Sequence, residues 1–209
     1  VRQGDSLISP LDAEFTGGLA DRGRWRAVAE RKVHYFAASG REKAALARAI
    51  RDDESRAAIA GIDSAIGTLT ARLADAVAAS GRDLFGERAL RGRALDRSAA
   101  ALKRRRAELQ RLRGRVLEDG ALPFFSYDVH FGDTVAAGGF DVVLGNPPWV
   151  RGEALPPSLR SRLQRLFDSW RTTTDRAGFT HLPDLSVAFV ERAIQLARPG
   201  GVVGLILPA

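Results

Sequence analysis

Cysteine and methionine are absent from the 209 residues, and histidine occurs three times. Without cysteine there is no disulfide bond, no thiolate zinc site and no cysteine nucleophile. His34, His130 and His181 lack ligand-like spacing, so we expect structural or solvated roles for them and no metal site. No apolar run approaches the roughly 18 residues that span a bilayer, and no signal peptide opens the sequence, which favours a cytoplasmic protein without a membrane partner. Because the chain begins at Val1 and not at Met, we expect it to be a fragment.

The excess positive charge is confined to one segment. The net charge is +7, and the segment from Glu87 to Glu118 alone holds eleven Arg and Lys against four Asp and Glu. Such a concentration is typical of nucleic-acid contact, and the candidate phosphate-binding residues are Lys103, Arg104, Arg105 and Arg106. The alternative is a solvated helix face, since Arg outnumbers Lys 29 to 3, as codon bias in a GC-rich genome would produce.

A helix-forming region extends from about residue 21 to residue 119. It is rich in Ala, Arg, Glu and Leu and contains no proline. A first helix is predicted over about Arg24–Ala38. Apolar residues then recur along two helical seams. In the first seam they recur every three or four residues, at Ile59, Ile62, Ile66, Leu69, Leu73 and Ala76. In the second they recur every seven residues, at Leu95, Leu102, Leu109 and Val116. The seams predict an antiparallel, coiled-coil-like hairpin with its bend near Gly81–Gly86.

The carboxyl-terminal part has an α/β pattern. Segments 140–145 and 202–208 are short apolar runs, and the first ends in a tight turn. Helices are predicted over Pro157–Trp170 and from Asp184, an N-terminal capping residue, to the stop at Gly200-Gly201. Strand, helix and strand, with entirely apolar strands, predict parallel strands buried on both faces.

Asn146, Pro147, Pro148 and Trp149 directly follow the first of these strands. Two consecutive prolines fix φ and remove two backbone donors, so no local N–H group claims the neighbouring carbonyls. The Asn146 oxygen and a proline carbonyl can accept both hydrogens of an exocyclic amino group while Trp149 stacks on the ring that carries it. The nitrogen lone pair then points outward and can attack an electrophile. The alternative is a proline-rich turn beside a core tryptophan.

Three segments resemble motifs of the N6-adenine DNA methyltransferases. The segment FDVVLGNPPWVR resembles motif IV. The segment LPDLSVAFVERAIQLARPGGVVGLILP resembles the motif V–VI region, and the segment VRQGDSLI resembles motif III. Among these enzymes, a long helical insertion between motifs III and IV is typical of type IIG restriction–modification methylases and of the BREX and DISARM phage-defence methylases. The resemblance implies an α/β fold, a partial Rossmann-like class I methyltransferase sheet at 1–20 and 120–209 with the helical hairpin inserted at 21–119.

The resemblance also implies an activity, the S-adenosyl-L-methionine-dependent methylation of adenine N6 in double-stranded DNA. Asn146 and Pro147 would bind the target amino group, Pro148 would stiffen the turn, and Trp149 would stack on the flipped base. Catalysis would rest on orientation, with no metal or general base. Subunits of a restriction or phage-defence system are candidate partners.

The methyl donor has weaker counterparts in this sequence. Asp5 would hydrogen-bond the adenine end of S-adenosylmethionine, or else form a simple turn, and Phe189 would pack near that adenine, or else lie in the core. The family's glycine-rich donor loop is absent, because none of the 21 glycines forms a Gly-x-Gly pair. We therefore expect uncovered strand edges and apolar faces, weak donor binding and no activity in this fragment alone.

Two other functions stay open. One is an amino methyltransferase acting on RNA or on a protein glutamine, although such enzymes are usually compact and the long insertion argues against it. The other is a non-catalytic helical interaction module on a decayed methylase scaffold, against which the intact Asn146–Trp149 motif argues.

Overall fold

The computed structural model describes residues 5–11, 22–80, 88–171 and 182–207. The elements are, in chain order, α1 (Arg22–Ala37), α2 (Gly40–Ser80), α3 (Arg88–Asp119), α4 (Tyr127–His130), α5 (Gly132–Ala136), β1 (Phe140–Gly145), α6 (Pro157–Leu166), α7 (Leu185–Leu196) and β2 (Ala197–Leu205). Short 3-10 turns lie at Gly152–Ala154 and Asp168–Trp170. None of the described helices has both the length and the apolar character that a membrane span requires.

Helices α2 and α3 pack along the predicted seam. Ile62, Leu69 and Leu109 are at most 2% exposed, because the apolar residues of each helix lie on one face and pack against the other helix. Asp63 and Arg113 form an ion pair of 2.6 Å across the two helices. The pairing is antiparallel, as predicted. The predicted bend at 81–86 lies outside the described residues, and so does the side chain of Leu95.

Helix α1 joins the hairpin to the rest of the chain. Trp25 is 1% exposed and lies against Gly132, where an added Cβ would come within 2.4 Å of the Trp25 ring. Lys32 donates to the Asp133 carboxylate at 2.5 Å. This joint depends on α4 and α5, two short helices between residues 127 and 136 that the sequence pattern did not predict.

The sheet consists, among the described residues, of β1 and β2 paired in parallel. Parallel pairing confirms the strand–helix–strand prediction, while the wider Rossmann-like sheet stays a prediction. Burial on both faces was wrong: Val142, Leu144 and Val202 are 53%, 75% and 60% exposed, so nothing in the described part of the chain covers the face of the sheet from which these side chains project. The uncovered apolar faces match the expectation for an incomplete sheet.

The second strand begins earlier than predicted, at Ala197 and not at residue 202. The ladder is irregular where Phe140 pairs with Ala197 and Val142 with Val202, so β2 has extra residues between these two pairs. Gly200, at φ +80°, lies in this irregular stretch and takes a backbone conformation that favours glycine. The glycines predicted to stop α7 thus form a bulge at the start of the strand.

Two helix predictions meet different outcomes. Asp184 caps α7, because its carboxylate accepts a hydrogen bond from the Ser186 N–H at 2.8 Å. The helix predicted over Pro157–Trp170 ends at Leu166, since Phe167 is extended (φ −125°, ψ 126°). The turn that follows is held by another helix through Glu191 of α7, whose carboxylate accepts from the N–H groups of Asp168 and Ser169 at 3.0 and 2.8 Å.

Residues 5–11 form turns on the core. Leu7 and Ile8 are buried in one cluster with Leu163, Phe167 and Trp170, so this segment joins α6 to α7. The first four residues of the segment that resembles motif III lie outside the described residues.

Candidate active site at the carboxyl end of strand β1

The turn Asn146–Trp149 begins directly after Gly145, the last residue of β1. Asn146, Pro148 and Trp149 are exposed, whereas Pro147 is buried and anchors the turn. The carboxyl ends of parallel strands are where α/β sheets bind their ligands. The motif therefore lies at the edge of the sheet where a substrate site is expected.

Ile206, the residue directly after β2, fixes both sides of the turn. The Ile206 N–H donates to the Gly145 carbonyl at 3.1 Å, and the Trp149 Nε1–H donates to the Ile206 carbonyl at 3.3 Å. Because the Ile206 peptide groups are bonded before and after the prolines, the turn cannot swing away from the sheet without losing both bonds.

The chain beyond the turn is held against the start of α7. The Leu185 N–H donates to the Val150 carbonyl at 2.8 Å. Gly152 packs so closely that an added Cβ would come within 2.6 Å of both Leu182 Cβ and the Pro183 carbonyl oxygen. Only glycine fits there without displacing the backbone of the α7 approach, so the sequence at 152 helps to set the position of the turn.

Asn146 is the single asparagine of the chain. Its side chain is exposed, and no described residue hydrogen-bonds to it. A side-chain amide has an oxygen that accepts and a nitrogen that donates two bonds. Beside two prolines that donate nothing, this end of the strand is rich in acceptors. It suits a group that brings hydrogen-bond donors, such as an amino group.

Trp149 supplies an aromatic plane next to these acceptors. Its ring is 56% exposed, while the bond from Nε1 to Ile206 fixes one edge of it. A tethered ring with an open face can stack on a planar ligand at little entropic cost. The alternative of a core tryptophan does not describe Trp149, since the two tryptophans that fill the core are Trp25 and Trp170.

The two residues expected to contact the methyl donor both make structural contacts. Asp5 Oδ1 accepts from the N–H groups of Leu7 and Ile8 at 2.9 and 3.0 Å, so it forms a turn. Phe189 packs against the apolar cluster around Phe167. Asp5 lines a cavity of about 190 Å³ that reaches Gly138 and Gly139, before β1 begins, whereas Asn146 follows its last residue.

That cavity is smaller than the roughly 300–1,000 Å³ of ligand pockets. This cavity is therefore too small for S-adenosylmethionine, and it lies at the opposite end of β1 from the Asn146 turn. No group of three His, Asp or Glu side chains able to hold a metal is found in the part of the chain that the structure describes. His130 is buried, and its Nδ1 lies 2.9 Å from the Ser126 carbonyl oxygen; His34 is exposed, and His181 lies outside the described residues.

The basic run on α3 does not form one surface. Lys103 and Arg104 are exposed, and Arg105 and Arg106 are half-buried. Four consecutive residues spread around most of a helical turn, so they cannot all face one ligand. The Arg105 guanidinium donates to the Pro10 carbonyl and pairs with Glu108, which gives it a structural contact with the segment 5–11.

The residues that sequence reasoning missed act through the main chain or from other helices. Ile206 contributes only peptide groups, which leave no side-chain signature. Glu191 is half-buried, and burial raises the pKa of its carboxyl. Hydrogen bonds from Ser169 and Asp168 and the charge of Arg171 lower that pKa by more than burial raises it, so the pKa lies below its ordinary value. Its charged form holds the 168–170 turn beside α7.

Known proteins resemble the carboxyl-terminal part. Residues 84–209 match the Eco57I restriction-modification methylase family. The chain is 42% identical over 67 residues to the Type II methyltransferase M.XhoI of Xanthomonas vasicola, across 32% of this chain and 11% of that protein. It is 38% identical over 73 residues to the Type II methyltransferase M.PaeR7I of Pseudomonas aeruginosa, across 33% and 10%. The chain thus spans about a tenth of either relative. No solved structure matches it significantly.

The family match begins before α3 and continues through the Asn146 turn and α7 to the second strand. It covers more than half of the chain and includes the turn Asn146–Trp149 and Ile206, whereas Asp5 lies outside it. This confirms the resemblance to restriction–modification methyltransferases: the chain belongs to the Eco57I restriction-modification methylase family.

Proposed function

We propose that this chain carries the target-binding part of an adenine-specific DNA methyltransferase, which transfers a methyl group to N6 of adenine in double-stranded DNA. The observation that carries the proposal is the turn at Asn146, where an exposed amide, two prolines and an exposed tryptophan meet at the carboxyl end of a parallel strand. Membership of a restriction-modification methylase family supports it.

The residues of the turn divide the work. The Asn146 oxygen and the Pro147 carbonyl accept the two hydrogens of the target amino group, so the nitrogen lone pair is free to attack the methyl group of the donor. The new N–C bond forms as the donor's bond to that methyl group breaks, and the amino nitrogen then loses a proton to water. These contacts strengthen as the nitrogen becomes tetrahedral, so they favour the transition state over the ground state. Trp149 stacks on the base, which has to leave the duplex to reach this turn.

We propose S-adenosyl-L-methionine as the methyl donor, on the strength of the family resemblance. The cavity beside Asp5 is too small for it, and Phe189 packs against the apolar cluster around Phe167, so we assign no step of the reaction to either residue. Restriction–modification or phage defence is the proposed setting, and subunits of such a system are the proposed partners. M.XhoI and M.PaeR7I, both Type II methyltransferases by name, support the first of these settings.

The test is single-turnover methyl transfer to adenine-containing duplex DNA by the full-length protein. Asn146→Ala removes one acceptor and leaves both prolines in place. By analogy with oxyanion-hole donors, we expect the chemical step to slow by roughly 10²–10³-fold while DNA affinity changes little. Gln110→Ala is the matched control, since it removes an exposed amide from α3, away from the turn.

Mass spectrometry of the product identifies the methylated group. N6-methyladenine in DNA supports the proposal, whereas methylation of RNA or of a protein glutamine would assign the same turn to a different substrate. If Asn146→Ala methylates at the parent rate, the turn is structural and the assignment of this site is wrong. A full-length protein that methylates nothing would favour the non-catalytic interaction module.

A further inference from the structure

A cleft with a strongly positive wall lies between the helical hairpin and α6. Its volume is about 750 Å³, and the described residues that line it come from α2, α3 and α6. Its charged residues are five arginines and one glutamate: Arg72, Arg104, Arg105, Arg162, Arg165 and Glu108. No aromatic side chain is among the described residues that line it.

Two of the arginines are structural. Arg162 donates to the Ser9 carbonyl at 2.7 Å, and Arg105 donates to the Pro10 carbonyl and lies 3.4 Å from Glu108. Together they hold the segment 5–11 between α3 and α6. These two contacts therefore fix the base of the cleft, and the positive charges of Arg105 and Arg162 are explained by their structural role.

The other three arginines are exposed, and each comes from a different helix. Arg72 lies on α2, Arg104 on α3 and Arg165 on α6. Codon bias can load one helix face with arginine, but it does not select positions far apart in sequence that meet at one cleft. Gathering like charges is unfavourable unless an anion is bound, and the planar guanidinium group matches phosphate well.

We propose that this arginine cleft binds the phosphate backbone of double-stranded DNA, with Arg72, Arg104 and Arg165 as the contacting residues. The proposal rests on the proposed function, because DNA is its substrate. A nucleotide or single strand is disfavoured, since such ligands are usually held by aromatic stacking, and the described lining offers none. The cleft replaces the linear run Lys103–Arg106 as the phosphate-binding surface, and only Arg104 and Arg105 of that run reach it.

The distance between the cleft and the Asn146 turn sets the length of the DNA probe. Trp149 and Arg165 are separated by the segment 150–156 and by most of α6. Fully extended chain and helical rise allow at most about 40 Å between them. At about 3.4 Å per base pair this corresponds to about 12 base pairs, so a duplex of about 30 base pairs is a sufficient probe.

The test compares two triple variants of the full-length protein. Arg72→Gln, Arg104→Gln and Arg165→Gln together remove the exposed cleft charges. Arg41→Gln, Arg48→Gln and Arg51→Gln remove the same charge from exposed positions of α2, about 30 Å or more along the helix from Arg72. Affinity for the duplex is measured by fluorescence anisotropy across a fourfold range of salt concentration.

Each phosphate contact contributes about one unit to the slope of log affinity against log salt. At about 0.9 unit per contact, we expect the cleft variant to lose about 2.7 units of slope, so the parent's affinity should fall about 40-fold more than the variant's over the fourfold salt range. The control variant should keep the parent's slope. If the triple variant does not fold, Arg104→Gln and Arg165→Gln taken singly should each lose about one unit.

The remaining outcomes separate this proposal from the proposed function. An unchanged slope in a cleft variant that still methylates adenine overturns the cleft and leaves the methyltransferase standing. If the cleft variant has a shallower salt slope and the parent protein methylates nothing, the result supports the cleft and overturns the proposed function. Tighter binding of inorganic pyrophosphate by the parent than by the cleft variant, with equal duplex slopes, identifies a site for free phosphate and overturns the DNA assignment.

Discussion

The helical hairpin and the two-stranded sheet use their apolar residues in opposite ways. In the hairpin, Ile62 and Leu109 are 0% and 1% exposed, because each helix covers the other. In the sheet, Leu144 and Val202 are 75% and 60% exposed, and the strands are joined by main-chain hydrogen bonds. Side-chain burial therefore stabilises the first region, while backbone pairing and the contacts of Ile206 position the second.

The largest expected effect is on stability and tests this difference directly. Ile62→Ala deletes buried methyl groups from the seam, so the free energy of unfolding of this chain should fall by about 2–5 kcal/mol. Leu144→Ala removes the same number of carbon atoms from an exposed side chain and should change it by no more than about 0.5 kcal/mol. Urea unfolding followed by circular dichroism measures both. Equal losses would mean that the exposed face of β1 is covered in solution.

A smaller effect is expected at the turn, where exposure serves binding. Trp149→Ala should weaken capture of the flipped base by about 1–3 kcal/mol, since stacking is lost. Trp149→Phe keeps an aromatic plane but cannot donate to the Ile206 carbonyl. Affinity of the full-length protein for duplexes with and without the target adenine separates the two roles. If both variants lose equally, the tether matters more than the stacking.

The smallest effect concerns Glu191, whose depressed pKa gives stability a pH dependence. A carboxylate that is preferred in the folded state stabilises it above the ordinary carboxyl pKa, and this contribution is lost as the pH falls through the depressed pKa. Glu191→Gln should remove that dependence, at a cost below about 1 kcal/mol because solvent screens the group. Unfolding of the variant across the acid range, beside the exposed control Glu118→Gln, measures it. A parent-like acid profile in Glu191→Gln would contradict the assignment.

Local patterns predicted those parts of the fold in which a residue's neighbours in sequence are also its neighbours in space. The spacing of Ile62 and Leu69 gave the hairpin seam, and Asp184 gave the start of α7, because both signals repeat within one or two helical turns. The break after Leu166 could not be predicted in this way, since its partner is Glu191, more than 20 residues away. Exposure of the strands likewise depends on what lies beside them.

The same distinction applies to the candidate site. The identities of Asn146 and Trp149 were available from the sequence, because a short motif after a strand contains the chemistry itself. The bonds from Ile206 were not, since peptide groups are common to all residues. The arginine cleft could not be predicted from the sequence, because the segment 5–11 bridges α3 and α6 and so brings Arg165 to the same cleft as Arg72 and Arg104.

The burial of two of the three tryptophans makes the third an optical probe of the site. Trp25 and Trp170 are at most 1% exposed, whereas Trp149 is 56% exposed. A collisional quencher such as acrylamide should therefore reach mainly the Trp149 indole, and its emission should dominate the quenchable fluorescence. A base stacked on that ring would shield it from the quencher, so occupancy of the turn can be followed without any label on the protein or the DNA.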